Sequence, residues 1–379
     1  MIYLDYSATT PVTYDVLESY NKATRDYMGN ANSLHALGVK SKVLLNSATK
    51  QICEILNINL DELTYTSGAT ESNNMALKGV ALAYKNNGKH IVVSKLEHPS
   101  IYKICDFLET QGFEISYVNN DSDGLIDFDD LKSKIREDTI LVSICAVNSE
   151  VGVRQPLKTI RQIIKIENPN TLFHSDMTQA FGKIAINMHD VDMASMSGHK
   201  IFGPKGIGLF YKSSKVKIVP LIHGSGKFNE LKMGTPPLPL IVSLSKAIRI
   251  ALEDLERKEN LVKKLNEKIC DELKKYPDIK INKTKYSIPH ILNISLMNIK
   301  PETFVHALED DEVYVGTNTA CSSGDFSNGV MAIYNDIERA RTTIRISISH
   351  VTTNEEINKF LNIFQMDYKK LKELMGELK

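Results

Sequence analysis

Residues 171–211 read TLFHSDMTQAFGKIAINMHDVDMASMSGHKIFGPKGIGLFY. The short apolar run Thr171-Leu172-Phe173 closes in His174-Ser175-Asp176, which predicts a buried strand ending in a carboxylate. A second apolar run, Met193 to Met196, closes in Ser197-Gly198-His199-Lys200. Gly203, Pro204, Gly206 and Gly208 then lead into the strand-like Leu209-Phe210-Tyr211. Two consecutive strand ends therefore present an acid and an amine, with small residues leaving room beside them. In α/β proteins ligands sit at the carboxyl ends of strands, so a ligand site is expected here.

One chemistry that needs such a pair is a lysine Schiff base to pyridoxal phosphate (PLP), with an aspartate facing the pyridinium nitrogen. The alternative is a surface lysine after a strand and an aspartate capping a helix. This stretch alone leaves both open.

At 379 residues the chain is long enough for two domains, each with its own core. Lysines plus arginines equal aspartates plus glutamates at 46 each, which gives no argument for direct nucleic-acid or membrane-surface binding. No stretch approaches a membrane span. The beginning, Met1-Ile2-Tyr3-Leu4-Asp5, has no basic region or long apolar core, so no signal peptide is expected. The five cysteines are scattered, with no CxxC pair or Cys/His ligand spacing, so no metal site is expected. Free thiols in a reducing cytoplasm fit this set. Cys53, Cys105 and Cys145 lie in apolar periodic runs and read as core packing.

Residues 1–12 read as an extended arm. Helical spacing follows to Tyr27, with Thr13 as a candidate cap. A second helix runs to about Leu56. The strand Leu63-Thr64-Tyr65-Thr66 enters Ser67-Gly68-Ala69-Thr70-Glu71, a small-residue turn feeding a helix whose free N–H groups suit a phosphate. An ordinary capped helix is the other reading of that turn. His90 to Ser94 is the next strand, followed by Glu97-His98-Pro99-Ser100. Thr139 to Val147 reads as a buried strand closing in Asn148-Ser149-Glu150. Strands alternating with helices at this spacing imply a mainly parallel sheet. One long amphipathic helix is expected from Leu238 to about Lys275. Beyond it, strands near Ile291 and Thr343 predict a smaller α/β unit. The expected division is a large domain over 13–250 and a small one made of 1–12 and 251–379.

Several separated motifs converge on one family. YLDYSATTP at the start, TSGATESNN, EHPS, SDMTQ, SGHKIFGPKGIG, GTNTACSSG and TIRISISHVTTNEE, in this order, resemble the cysteine desulfurases. These are PLP enzymes of the class-V aminotransferase group within fold type I. The match is with the branch related to the iron–sulfur and nitrogen-fixation desulfurases.

The resemblance implies a set of roles. Lys200 is the Schiff-base lysine and moves the substrate Cα proton. Asp176 pairs with the pyridinium nitrogen, Gln179 bonds the ring's phenolic oxygen, and His98 stacks on the ring and relays protons. Ala69, Thr70, Ser197 and His199 hold the phosphate, joined by Thr235 from the other subunit of a homodimer. Arg345 clamps the substrate carboxylate. Cys321, in a small polar loop, is the nucleophile that takes sulfur from L-cysteine as a persulfide, releasing alanine. An acceptor protein, either an iron–sulfur scaffold or a tRNA thiolation enzyme, then receives the sulfur.

The chain departs from the family pattern at a few positions. Lys232 stands where an arginine is usual. Ser149 stands where a second asparagine near the substrate is usual, and Ala146 where a histidine is common. Asn318 replaces a common glycine, and Phe228 and Asn229 replace more polar residues. A selenocysteine lyase or cysteine desulfhydrase of the same fold is the nearest alternative. The changes at Ser149 and Lys232 also admit a catalytically impaired homologue acting as a binding subunit.

Overall fold

The computed structural model describes residues 1–224, 231–317 and 326–376. It opens with β1 (Ile2–Leu4), α1 (Tyr14–Asp26) and α2 (Ala36–Leu56). Alternation then begins with β2 (Leu63–Thr66), α3 (Ala69–Tyr84), β3 (His90–Ser94) and α4 (Pro99–Thr110). It continues through β4 (Glu114–Val118), α5 (Phe128–Lys134), β5 (Thr139–Ser143) and α6 (Leu157–Glu167). β6 (Leu172–Asp176), β7 (Met193–Ser197) and β8 (Gly208–Lys212) complete this series.

Two helices follow, α7 (Leu238–Leu252) and α8 (Leu255–Leu273). The remainder holds β9 (Ile279–Asn282), β10 (Ile291–Leu296), α9 (Pro301–Asp310) and β11 (Val313–Thr317). It ends with α10 (Asn328–Tyr334), α11 (Ile337–Arg341), β12 (Thr343–Ser347) and α12 (Asn354–Gly376).

Seven strands form one sheet in the order β2-β8-β7-β6-β5-β3-β4, parallel except for β8. Its middle strands are buried on both faces, as a parallel sheet between helix layers must be. In β3, Ile91 and Val93 join the core with Met75, Val80 and Ile104 of α3 and α4. Val92, pointing the other way, joins Ile160, Leu244 and Ile248 of α6 and α7. The second sheet, β1-β11-β12-β10-β9, packs on α8, α9 and α12 through Phe304, Phe360 and Phe364. Burying each such ring contributes roughly 1.5–3 kcal/mol. β1 belongs to this second sheet, because Ile2 to Leu4 pair with Val313 to Val315.

The structure changes some of the sequence-based expectations. The single helix expected over 238–275 is two. Asp254 adopts a left-handed backbone (φ 50°) between them. The apolar period runs on through the break, so the pattern does not reveal it, and aspartate is among the residues that tolerate this conformation. Thr13 does occupy the N-cap of α1, but its hydroxyl makes no capping bond. The strand expected over Thr139–Val147 ends at Ser143, and Ile144 to Val147 continue as buried coil.

Candidate active site

The strand ends converge. A cavity of about 650 Å³ lies beyond the carboxyl ends of β3, β5, β6 and β7. It is lined by Ala69, Thr70, His98, Ser149, Asp176, Gln179, Ser197, His199 and Lys200, all expected from the sequence. A larger groove of about 880 Å³ runs along α8 and β9, but none of the candidate residues reaches it. We therefore place the site at the strand ends. Thr235 is exposed and Arg345 half-enclosed, and neither lines the cavity. Cys321, together with Asn318, Phe228 and Asn229, lies outside the described residues.

At one end of the cavity, Gly68 caps α3. The first bond of that helix runs from Ser72 N to Gly68 O at 3.1 Å. The N–H groups of Ala69, Thr70 and Glu71 thus stay outside the helix ladder, and the helix dipole adds to them. Ser197, His199 and Lys205 line the same region. Two glycines let β8 approach this turn: a Cβ on Gly208 would stand 2.7 Å from Gly68 Cα and 2.6 Å from Met196 O. Lys232 does not line the cavity. Its amine pairs with Glu71 at 2.5 Å, at the rim.

On the floor, Asp176 is 6% exposed and both its oxygens are held. Oδ1 accepts from Thr178 N at 2.9 Å, and Oδ2 accepts from Asn73 Nδ2 at 2.9 Å. Asn73 also donates to Ser100 Oγ at 3.0 Å, and Ser100 Oγ lies 2.9 Å from His98 Nδ1. Ser100 N donates to that same Nδ1 at 3.1 Å, capping α4, so the neutral ring carries its proton on Nε2. Burial lowers the proton affinity of His98, and the nearby Lys200 and Arg345 add to this against Asp176 and Glu150.

Lys200 stands on the turn after β7. Its amine donates to Ser7 O at 2.6 Å and Ala8 O at 2.7 Å. The N-terminal arm thus leaves β1, crosses to the large sheet and closes one side of the cavity. Thr10 fastens it there: its N and Oγ1 donate to His199 O at 2.8 and 3.0 Å, and Phe202 N donates to its Oγ1 at 2.7 Å. Phe202 is itself left-handed (φ 63°), a strained conformation on the turn that carries the lysine. Burial and Lys200 push His199 down to about 4, so it is neutral near neutral pH.

Arg345 projects from β12. Its guanidinium donates to Asp5 Oδ1 at 3.0 Å and to Ser149 O at 3.0 Å, and its Nε is buried without a hydrogen-bond partner among the described residues. Cys145 is buried, as expected, but also faces the cavity, with Sγ donating to Leu96 O at 3.2 Å. Burial holds this thiol well above the ordinary range, in its protonated form.

The sequence reading assigned no role to Asn73, Ser100, Asp5 or the carbonyls of Ser7 and Ala8. For Asn73 a signal exists, since a buried asparagine in mid-helix is a poor helix former that needs a partner. The backbone carbonyls carry no signal at all. Among the described residues no group of His, Cys, Asp and Glu is arranged to hold a metal, and no helix is long and apolar enough to cross a membrane.

A profile described as aminotransferase class-V matches residues 2–360. The chain is 36% identical over 377 residues to the cysteine desulfurase IscS of Dictyoglomus turgidum, covering 98% of this chain and 95% of that one. It is 39% identical over 376 residues to a NifS/IcsS protein homolog of Lactobacillus delbrueckii subsp. bulgaricus, covering 97% of each. Among solved structures, a NifS-like protein superposes with a TM-score of 0.91 at 35% identity, covering 96% of this chain and 98% of that one. A second, SspA in complex with cysteine, superposes with a TM-score of 0.81 at 32% identity, covering 93% and 100%.

Proposed function

The chain belongs to the class-V aminotransferase family, and from that premise we propose that it is a PLP-dependent cysteine desulfurase, converting L-cysteine to L-alanine and leaving sulfur on Cys321. The observation that carries this reading is one cavity lined by Lys200, Asp176 and the free N-terminus of α3. Relatives matched over nearly the whole chain are named cysteine desulfurases.

The residues present fit PLP. The N–H groups opening α3, with Thr70, Ser197 and His199, form a donor set suited to a phosphate dianion. Asp176, with each oxygen held by an N–H donor, is a carboxylate suited to a protonated ring nitrogen. When bound, PLP supplies an electron sink conjugated to the substrate's Cα. Lys200 then anchors it and moves the Cα proton, while His98, neutral and with Nδ1 committed to Ser100, has its Nε2 proton to share. Arg345 binds the substrate carboxylate, with Asp5 setting the direction of its fork. Cys321 attacks the substrate sulfur as a thiolate: a sulfur–sulfur bond forms, the carbon–sulfur bond breaks, and its electron pair stays with the alanine carbon skeleton. An acceptor protein, an iron–sulfur scaffold or a tRNA thiolation enzyme, removes the persulfide sulfur.

We further assign a homodimer. Val12, Tyr14, Leu17, Met28, Leu34, Leu37, Val39 and Val43 are exposed along one stretch of the chain, an apolar concentration that a second subunit would cover. Thr235 is exposed, as a residue directed at a partner's phosphate site must be. The buried free thiols of Cys53, Cys105, Cys145 and Cys270 support a reducing cytoplasm.

The test is to incubate the full chain with PLP, L-cysteine and a reductant, and to measure alanine and sulfide. Equal yields of both, abolished by Cys321→Ala, are expected. Pyruvate and ammonia instead would assign a desulfhydrase, and Cys321→Ala turning over at the wild-type rate would reject the persulfide.

A further inference from the structure

Lys183 lies on the turn beyond β6 and is 7% exposed. Its amine donates to Gln179 Oε1, its only hydrogen-bond partner among the described residues. Gln179 Nε2 donates to Ser7 O at 3.0 Å, and the same carbonyl accepts from Lys200 at 2.6 Å. A continuous chain of contacts therefore runs Lys183–Gln179–Ser7–Lys200, with Gln179 and Lys200 on the cavity wall.

Ser7 O is a carbonyl with no proton to donate, so the Gln179 atom that meets it must be the amide nitrogen, and the oxygen falls to the Lys183 amine. This settles the orientation of an amide whose two ends otherwise look alike. The NH2 group faces away from Lys183. One of its protons goes to Ser7 O, and the other is left for whatever occupies the cavity.

Packing does not require an amine here. Among the described residues no carboxylate pairs with Lys183. Among the described residues, the charged and titratable groups that act on it or feel it are Lys200, Arg345, His199 and His290, none of them an acid. Burial, then Lys200 and Arg345, hold its proton affinity well below the usual lysine range. A buried amine without a counter-ion costs stability that a methionine of similar length would not.

We propose that Lys183 is a positioning residue that fixes the Gln179 amide with its NH2 toward the cavity, so that the site offers a donor to the ring oxygen of the bound cofactor. This rests on the PLP reading above. The lysine acts through Gln179 and does not touch the cofactor.

The experiment titrates the full-length wild type, Lys183→Met, Gln179→Leu and the double variant with PLP. It reads the dissociation constant and the absorption maximum of the bound chromophore. Lys183→Met is expected to weaken binding by on the order of tenfold and to move the absorption maximum, as loss of one oriented donor would. In the Gln179→Leu background the same change is expected to do nothing further, which a general packing role would not produce. Lys183→Gln, whose amide can donate the same bond, is expected to restore both readings. Gln179→Glu keeps the bond to Lys183 but turns an acceptor to the cavity, and is expected to bind less tightly than Gln179→Leu. If Lys183→Met fails to fold, this last pair decides. Wild-type constants and spectrum in Lys183→Met, an equal loss with and without Gln179, or wild-type binding by Gln179→Glu would each overturn the role of Lys183 alone. A wild-type protein that takes up no PLP overturns both this and the cofactor reading.

Discussion

Asn73 Nδ2 stands 2.9 Å from Asp176 Oδ2, inside a helix whose other end of business is its N-terminus five residues earlier, at Gly68. One helix thus serves two parts of the site. Its first turn faces the anion end, and its second turn holds the acid on the floor and, through Ser100, the histidine above it.

Replacing Asn73 with leucine removes the donor to Asp176 and leaves a buried carboxylate oxygen unpaired. The expected cost is about 1–3 kcal/mol, seen as weaker PLP binding and a lower unfolding midpoint. Fluorescence titration and urea denaturation measure the two. An unchanged dissociation constant would show that Thr178 N alone suffices to hold the acid.

Arg345→Lys keeps the charge and loses the fork that reaches Asp5 and Ser149 O together. The KM for L-cysteine is expected to rise by on the order of tenfold, with kcat changing less, because one bidentate contact to a carboxylate is lost. Steady-state alanine formation checks the split. A fall in kcat at constant KM would place Arg345 away from the substrate carboxylate.

Gly208→Ala tests the close approach of β8 to the turn that opens α3. The added methyl would meet Gly68 Cα at 2.7 Å and Met196 O at 2.6 Å, both backbone atoms that cannot swing aside. Overpacking of this kind costs about 1–3 kcal/mol, and the displaced turn should also bind inorganic phosphate or PLP less well. Thermal melts with and without PLP would show both effects; a melt identical to wild type would mean the strand can shift freely.

Two buried histidines set a pH dependence. Burial pushes His174 down from the usual 6.5 to about 4, and burial with Lys183 and His350 pushes His290 to about 3. Their folded values lie below the unfolded one, so the unfolded chain binds more protons as the pH falls. Stability is complete above about pH 6.5 and is lost below it, at up to about 1.4 kcal/mol per pH unit for each residue until its folded value is reached. Urea midpoints at about pH 7 and about pH 5 measure this, and equal midpoints would contradict the assignment.

How much of this was legible in the sequence depends on where each group sits. Asp176 and Ser197 end their strands and His199 and Lys200 follow at once, and strand ends gather on one edge of a parallel sheet whatever the rest of the chain does. Asn73 and Asp176 are brought together only by the packing of α3 on the sheet, which no local pattern encodes. The acceptors of Lys200 are carbonyls of Ser7 and Ala8, and every residue has a carbonyl. The break at Asp254 was hidden for the opposite reason: the apolar period says which face is buried and continues through a bend that preserves that face.

The arm has a consequence for biosynthesis. Residues 1–10 are made long before the residues they pair with: β1 has no strand to pair with until Val313 to Val315 have been made, and Ser7 N is held by Ser347 Oγ at 2.9 Å. The Ser7 carbonyl that holds Lys200 thus belongs to a residue whose own amide finds its partner only once Ser347 has been made. A nascent chain can form the strands of its large sheet before the arm has all its partners. A chain stalled or cleaved before β11 would carry Lys200 beside an arm that lacks both its strand partner and the bond to Ser347.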